Sequence, residues 1–169
     1  WRPYINPATM RGEWKVPKID IATAPEGSGS RYPAPHNAPC LGRQWKKLGE
    51  AAGLAQFGVN LLTLRPGVWS SQRHWHTHED EFAYVLTGEV VLVEEDGETF
   101  LKPGDCVGWA MNVENGHCLQ NRSTEDATVL IVGGRSADDS GQYPDIDMKF
   151  SRDGAAGGAL FEHKDGTPY

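Results

Sequence analysis

Glycine and proline interrupt this chain from end to end. Its 169 residues include 20 Gly and 11 Pro, which together approach a fifth of all positions. A helix bundle needs long runs free of both residues, because each weakens or breaks the interior of a helix. Short apolar runs separated by turn residues are typical of many short strands. The sequence therefore predicts an all-β fold and excludes a helix bundle.

Size, charge and cysteine spacing narrow the class of protein. A chain of 169 residues is long enough for one domain with a buried core. Its 16 basic and 23 acidic side chains give a net charge of -7, which disfavours nucleic acid as a partner. No apolar stretch approaches the roughly 20 residues of a membrane span, so we expect no membrane partner. Cys40, Cys106 and Cys118 form no CxxC pair, and we interpret them as free thiols of a cytoplasmic protein.

Three parts of the chain differ in composition. Residues 1–56 begin with a stretch rich in Pro, Gly, Ser and Ala, and we expect an extended N-terminal arm and first strands packed on a barrel. Residues 57–134 carry the regular strand pattern and form the predicted core. Residues 135–169 are a more polar C-terminal tail with short strands. The sequence shows no internal repeat and no alternation of helices with strands.

Strand-like runs separated by turn residues define the core. They are 57–64, 81–87, 89–94, 99–101, 118–121 and 128–132. Gly49 and Gly53 interrupt a helical stripe in residues 43–56, which favours two strands around a turn there. In the tail, 146–150 alternates like one face of a strand, and 159–162 predicts another. A sandwich, a barrel or a jelly roll would close this many antiparallel strands.

Metal-capable side chains concentrate in a short segment of the core. His74 and His76 are two residues apart, so a strand points both imidazoles to one face. Glu81 opens the next predicted strand, and His117 follows further along the chain. Imidazoles with one carboxylate suit iron(II), manganese, nickel, copper or zinc.

The strand that Glu81 opens has two unlike faces. The small side chains on its own face are Ala83, Val85 and Thr87, and the large ones on the opposite face are Phe82, Tyr84 and Leu86. Small residues beside a carboxylate predict a wall with room for a ligand. The large residues predict packing against the arm, the tail or a second subunit.

The spacing of these residues resembles the first motif of the cupin superfamily. That motif reads Gly, a short gap, His-x-His, three or four residues, Glu, six residues and Gly. Here His74 and His76 are followed by four residues and Glu81, and by six more and Gly88. The gap between Gly67 and His74 is six residues, where five is usual.

A second cupin motif follows in the expected order. It reads Pro-Gly-Asp, a loop, and then a histidine and an asparagine, which stand here as 103–105, His117 and Asn121. Residues 110–113 depart from the motif, since Pro-x-Gly is common in that loop. The two motifs together span 57–134 and make the chain similar to single-domain cupins.

The resemblance implies a fold and a metal site. The fold is a double-stranded β-helix, the jelly roll or cupin barrel, with the arm and the tail as extensions. The ligands of the metal are His74, His76, Glu81 and His117. One divalent transition metal, Fe, Mn, Ni or Zn, would keep two octahedral positions for water, substrate or oxygen.

Two classes of function fit such a site. The first is a metalloenzyme acting on a small organic substrate, either a dioxygenase or an isomerase, epimerase or lyase. Glu81 would serve as base in the oxygen-dependent version, and His78 or a tyrosine as proton donor in the Lewis-acid version. The second is a non-catalytic cupin that binds a metal or a small molecule, for example as a sensor. In either class, the large outward row at 82, 84 and 86 predicts a homodimer.

Several neighbouring residues have alternative roles. His78 is either exposed and hydrogen-bonded or a partner for the second ring nitrogen of a ligand. Asp80 could replace Glu81 as the carboxylate. His36 and His163 are expected to be solvated or structural. Two tryptophans near the motifs either line a pocket mouth or pack in the core, namely Trp69 and Trp109.

Overall fold

A computed structural model describes most of the chain, namely residues 18–153 and 158–169. The beginning of the predicted arm, residues 1–17, and residues 154–157 of the tail lie outside the described residues. No helix in the described part is long and apolar enough to cross a bilayer.

The described residues form thirteen strands, one short helix and one 3-10 turn. The helix is α1 (Leu48–Ala51), and the turn spans Ala38–Cys40. The strands are β1 (Glu26–Ser28), β2 (Gln44–Lys47), β3 (Phe57–Leu64), β4 (Trp75–His76), β5 (Glu81–Thr87), β6 (Val90–Glu94), β7 (Gly97–Leu101), β8 (Cys106–Trp109), β9 (Cys118–Gln120), β10 (Ala127–Gly134), β11 (Ser140–Tyr143), β12 (Met148–Asp153) and β13 (Gly158–Glu162). The all-β prediction is confirmed.

The strands pair into three antiparallel sheets. One is six-stranded, in the order β1-β2-β3-β10-β5-β8. A three-stranded sheet has the order β7-β6-β9, and a four-stranded sheet the order β13-β12-β11-β4. The four-stranded sheet combines three strands of the tail with β4, which belongs to the predicted core.

The core lies between the six-stranded and the three-stranded sheets. Leu62 of β3 and Val85 of β5 flank Val129 of β10, and all three side chains are buried. They belong to one cluster with Leu92 of β6 and Leu119 of β9. Alternate residues of these strands thus remove their side chains from water, at about 1.5–3 kcal/mol of stabilisation for each large one.

The two faces of β5 meet different surroundings. Ala83 and Val85 are packed into the core cluster, so the prediction of a ligand wall beyond Glu81 is wrong. They share this cluster with side chains of β6 and β9. On the other face, the large side chains are exposed within the described chain: Phe82 by 40%, Tyr84 by 37% and Leu86 by 42%.

The prediction for residues 43–56 is wrong in its second half. β2 forms as a strand, but the chain then turns into α1 instead of a second strand. Gly49 lies so close to β3 that a Cβ there would be 2.8 Å from the backbone nitrogen of Val59. Gly53 has a φ of 70° and follows the end of the helical turn. The glycines that argued against a helix therefore permit this one.

The tail forms the predicted strands and a small core of its own. Met148 and Phe150 of β12 are buried together with Tyr143 of β11. Ile146 precedes β12 and packs against this cluster. Because β11 also pairs with β4, the tail sheet is attached directly beside the His-x-His segment. The proposed boundaries between arm, core and tail remain a prediction.

Candidate metal centre

The backbone holds His74 and His117 side by side. The two residues form an antiparallel bridge. The N–H of His74 donates to the carbonyl of His117 at 3.2 Å, and the reverse bond measures 2.9 Å. His76 follows in β4, and its Nε2 lies 3.1 Å from Nε2 of His74. The alternation of a strand therefore places both imidazoles of the first motif on one face, as predicted.

Glu81 reaches the same point from the beginning of β5. It lies opposite Gly133 of β10, which has no side chain to compete for the space. Its Oε2 is 2.9 Å from Nε2 of His117, 3.5 Å from Nε2 of His76 and 4.0 Å from Nε2 of His74. The structure thus brings together all four residues predicted as metal ligands.

The outer ring nitrogen of each imidazole faces an oxygen acceptor. The acceptors are Gln72 O for His74 (2.9 Å), Asp139 Oδ2 for His76 (2.7 Å) and Asn115 O for His117 (3.2 Å). A carbonyl or carboxylate can only accept, so each contact assigns the ring proton to Nδ1. Each Nε2 then presents its lone pair to the centre of the cluster.

This arrangement fits a cation. The Nε2 atoms of His74 and His76 are 3.1 Å apart and both present lone pairs, and Glu81 adds a carboxylate beside them. Acceptors at this distance repel one another unless positive charge lies between them. Neutral imidazole and carboxylate together are compatible with iron, manganese, nickel and zinc. One divalent transition metal held by His74, His76, Glu81 and His117 satisfies the donor set.

Burial and neighbouring charges give the cluster its metal-binding form. Burial lowers the pKa of His74 to about 3, against the opposing charge of Glu81. Burial would raise the pKa of Glu81, but its 2.9 Å contact with the His117 ring and the other neighbouring imidazoles lower that pKa to about 2. For His76, burial acts to lower the pKa, yet the hydrogen bond to Asp139 and the charge of Glu81 raise it. At neutral pH the cluster therefore contains an ionised carboxylate and a neutral His74 imidazole, which are metal-ligand forms.

A buried acidic residue of the tail supports His76. Asp139 accepts from His76 Nδ1 through Oδ2 and from the backbone N–H of His78 through Oδ1, at 2.7 and 3.0 Å. Arg152 donates to Glu79 Oε2 at 2.7 Å, and its Nε lies 3.8 Å from Asp139 Oδ2. His76, Glu79 and Asp139 are close enough to form a second candidate cation site. Because the Arg152 guanidinium already lies against both carboxylates, we interpret this group as the support of His76.

His78 does not join the cluster. β4 ends at His76, so the alternation of the strand does not carry His78 to the same face, and the proton-donor role of His78 stays a prediction. The side chain is exposed, and its Nδ1 lies 2.7 Å from Thr77 Oγ1. Asp80 is also exposed and accepts a backbone N–H of the following loop at 2.8 Å. Glu81 is therefore the carboxylate of the cluster.

The two histidines of the arm and the tail have structural contacts, as predicted. Both contact the ring of Tyr169, with centroid distances of 6.0 Å for His36 and 4.0 Å for His163. His163 also has its Nδ1 2.9 Å from Asp147 Oδ2.

Two motif residues shape the backbone around the site. Asn121 is fully buried, and its Nδ2 donates to the carbonyls of Leu64 and Glu125 at 2.7 and 2.8 Å. Gly88 has a φ of 70°, and a Cβ there would lie 2.5 Å from the carbonyl oxygen of Asp126. These residues connect the ends of β3, β5 and β10, and this fixes the sheet that presents Glu81.

The loop that departs from the second motif keeps a left-handed residue. Asn112 has a φ of 60°, a conformation that glycine adopts freely and asparagine tolerates better than most residues. Its N–H donates to the carbonyl of His76 at 2.8 Å. The loop is therefore attached to the metal-site strand without a glycine.

A cavity of about 280 Å³ opens onto the cluster. His74, Glu81 and His117 line it, together with Trp109 and Arg43. Trp109 stacks on His117 with ring centroids 3.9 Å apart and an angle of 6° between the planes. Of the two predicted alternatives for this tryptophan, the structure supports a role in the cavity wall.

Sequence reasoning missed several residues around the cluster. Asp139 follows Asp138 outside both motifs, and no spacing signal separates the two. Arg43 and Trp45 both line the cavity. The two residues are two positions apart in the sequence, and a strand points such side chains to the same face. This spacing is the signal that could have placed them together.

The fold and the cluster define a jelly-roll protein with a candidate metal centre of three histidines and one glutamate. The Cupin domain family model matches residues 60–133. With the structural relatives below, this shows that the chain belongs to the cupin superfamily and is a single-domain cupin, as the two motifs suggested.

Solved structures extend the similarity beyond the motifs. A sugar phosphate isomerase of the cupin superfamily from Silicibacter pomeroyi DSS-3 is 44% identical, with a TM-score of 0.86 over 90% of this chain and 96% of the relative. A provisionally named sugar phosphate isomerase from Acidithiobacillus ferrooxidans ATCC 23270 is 30% identical, with a TM-score of 0.68 over 76% of this chain and 80% of the relative. The polyketide cyclase RemF from Streptomyces resistomycificus shares the fold, at 17% identity and a TM-score of 0.57 over 71% of this chain and 80% of that one. A search of curated proteins gives no match.

Proposed function

We propose that this protein is a metal-dependent enzyme that isomerises a phosphorylated sugar. The observation that carries the proposal is a cavity that opens onto three of the four metal-binding side chains and is large enough for a small organic molecule. Two relatives at 44% and 30% identity are named as sugar phosphate isomerases, and this supports the choice of reaction.

The metal ligands in this proposal are His74, His76, Glu81 and His117. When bound, the metal would supply Lewis-acid chemistry, polarising the carbonyl group of the sugar. The three acceptors on the Nδ1 atoms keep the imidazoles in the tautomer that binds. Trp109 covers one face of His117 and excludes water from that side.

We assign the proton transfer between neighbouring sugar carbons to Glu81. Among the described residues that line the cavity, Glu81 is the one carboxylate. Its Oε2 is directed at the imidazoles, whereas Oε1 makes no hydrogen bond within the described part of the chain. Its pKa of about 2 keeps it ionised and able to accept a proton, but also makes it a weak base. The reaction therefore depends on a substrate whose C–H bond is acidified by a neighbouring carbonyl.

The test is an assay of aldose and ketose phosphates in D₂O, followed by NMR. We expect interconversion of one aldose–ketose pair, with deuterium incorporated at the carbon next to the carbonyl. The His117→Gln variant should lose the reaction. Stoichiometric metal with neither conversion nor deuterium exchange would support a non-catalytic binding cupin instead. Oxygen consumption with a member of the panel would favour a dioxygenase.

We also propose that two copies of the chain associate through the outer face of β5. Phe82, Tyr84 and Leu86 form an apolar row there, and the described arm and tail leave it exposed.

Cys40, Cys106 and Cys118 are free thiols, which supports a reducing, cytoplasmic location for the protein.

A further inference from the structure

Arg43 presents a rigid cation to the cavity beside the metal centre. Its Nε donates to the carbonyl of Gly29 at 2.7 Å, and Nη1 donates to the carbonyl of Ser70. The guanidinium lies 5.7 Å from the ring centre of Tyr32 and 5.4 Å from that of Trp45. Two carbonyls and two aromatic rings therefore hold the planar group in one orientation.

No carboxylate in residues 18–152 or 158–169 forms an ion pair with Arg43. The arginines near acidic side chains behave differently: Arg73 pairs with Asp145 and Glu95, Arg122 with Glu98, and Arg152 with Glu79. Nη2 of Arg43 makes no hydrogen bond within the same ranges. A half-buried guanidinium with neutral partners and a spare N–H group is suited to an anionic ligand.

Hydroxyl and amide groups accompany the cation in the cavity wall. Ser70, Ser71 and Asn60 line the same cavity as Arg43. The two serine hydroxyl oxygens are 3.3 Å apart. Ser70 Oγ also accepts the backbone N–H of Leu119 at 2.9 Å, and because one serine hydroxyl donates to the other, one hydroxyl hydrogen of the pair is left for an acceptor. Such donors suit an oxygen-rich anion better than an apolar group.

We propose that Arg43, with Ser70 and Ser71, binds the phosphoryl group of the substrate. This inference rests on the proposed function and adds the residues that select a phosphorylated sugar over a neutral one. Arg43, His74, Glu81 and His117 line one cavity, so a single molecule can contact the guanidinium and the metal ligands together. The free Nη2 group of Arg43 suits a phosphate oxygen, and the pair of serine hydroxyls supplies one more donor.

The test measures binding of inorganic phosphate by titration calorimetry. Wild type is compared with Arg43→Gln and with Arg65→Gln, which removes an equal charge from an exposed position outside the cavity. We expect Arg43→Gln to weaken phosphate binding by about tenfold or more, as loss of a charge-assisted hydrogen bond requires. Arg65→Gln should change it less than about twofold. Equal affinities in wild type and Arg43→Gln would overturn the proposal.

Two further arms use wild-type protein, so the proposal stays testable if Arg43→Gln does not fold. Phosphate binding should persist after treatment with EDTA, because Arg43 is separate from the metal. Its complete loss would place phosphate on the metal and overturn the proposal. In EDTA-treated protein, glucose 6-phosphate should bind at least about tenfold more tightly than glucose and than sodium acetate. Equal binding of acetate and the phosphorylated sugar would contradict a phosphoryl site.

The outcome is separable from that of the isomerase assay. Phosphate binding that depends on Arg43, without conversion of any sugar phosphate, would retain this site and reject the proposed reaction. Isomerisation whose KM does not change in Arg43→Gln would retain the reaction and reject this site.

Discussion

Asp139 Oδ2 accepts a hydrogen bond from His76 Nδ1 at 2.7 Å, so a residue of the tail orients a histidine of the first motif. The Asp139 side chain is fully buried, and its other oxygen accepts the backbone N–H of His78. Burial opposes ionisation of this carboxyl, but the hydrogen bond with His76 and the charge of Arg152 keep its pKa below the usual value. A charged acceptor on Nδ1 makes Nε2 of His76 a stronger metal ligand.

Replacing Asp139 by Asn should therefore weaken metal binding without removing a ligand. The neutral amide is a poorer acceptor and can turn its NH₂ group towards the imidazole, which would disfavour the binding tautomer. We expect the metal dissociation constant to rise by about 10–100-fold. Competition with a chelator of known affinity measures it.

Asp138→Asn provides the matched control, because Asp138 is the adjacent residue, carries the same charge and is exposed. Its affinity for the metal should stay at the wild-type value. The role assigned to Asp139 would be wrong if both variants bound the metal equally well.

Substitutions of His76 and His78 test which of these two neighbouring histidines binds the metal. His76→Gln removes an Nε2 that lies 3.5 Å from Glu81 Oε2, whereas His78→Gln changes an exposed side chain. Elemental analysis of protein purified without a metal-affinity tag should show several-fold less metal in His76→Gln only. A similar loss of metal in His78→Gln would show that His78 is a metal ligand.

Asn121→Ala tests the structural role of a motif residue. The substitution leaves the carbonyls of Leu64 and Glu125 without their donor in a buried region. We expect the free energy of unfolding to fall by about 2–4 kcal/mol. Asn37→Ala serves as control, because Asn37 makes no side-chain capping bond, and it should change stability by less than about 0.5 kcal/mol. Urea denaturation measures the free energy of unfolding of both variants. A small loss of stability in Asn121→Ala would show that other groups replace the hydrogen bonds of Asn121.

The convergence of the four candidate ligands was predictable from the sequence. The spacing of His74 and His76 assigns their side chains to one strand face, and the two motifs add Glu81 and His117. Period-two alternation is a local property, so sequence alone can carry it. This alternation does not extend to His78, because β4 ends at His76, where its pairing with β11 also stops.

The remaining features depend on pairings that are distant in the chain. Asp139 reaches His76 only because β11 pairs with β4, and no local pattern encodes that register. Arg43 lies at the cavity because β2, which follows it, pairs with β3 in the larger sheet. The helical turn at Gly49 requires a close approach to β3 that only the folded chain reveals.

The outer face of β5 gives the last prediction, on oligomeric state. The substitution Tyr84→Glu would place an unpaired carboxylate in the proposed interface, and burying that carboxylate would be unfavourable. We expect wild type to have the mass of a dimer by light scattering and Tyr84→Glu to have the mass of a monomer. Phe100→Glu is the control, because Phe100 is 76% exposed but lies on β7 of the three-stranded sheet. It should remain dimeric; a monomeric wild type, or a Tyr84→Glu variant that stays dimeric, would exclude this face as the interface.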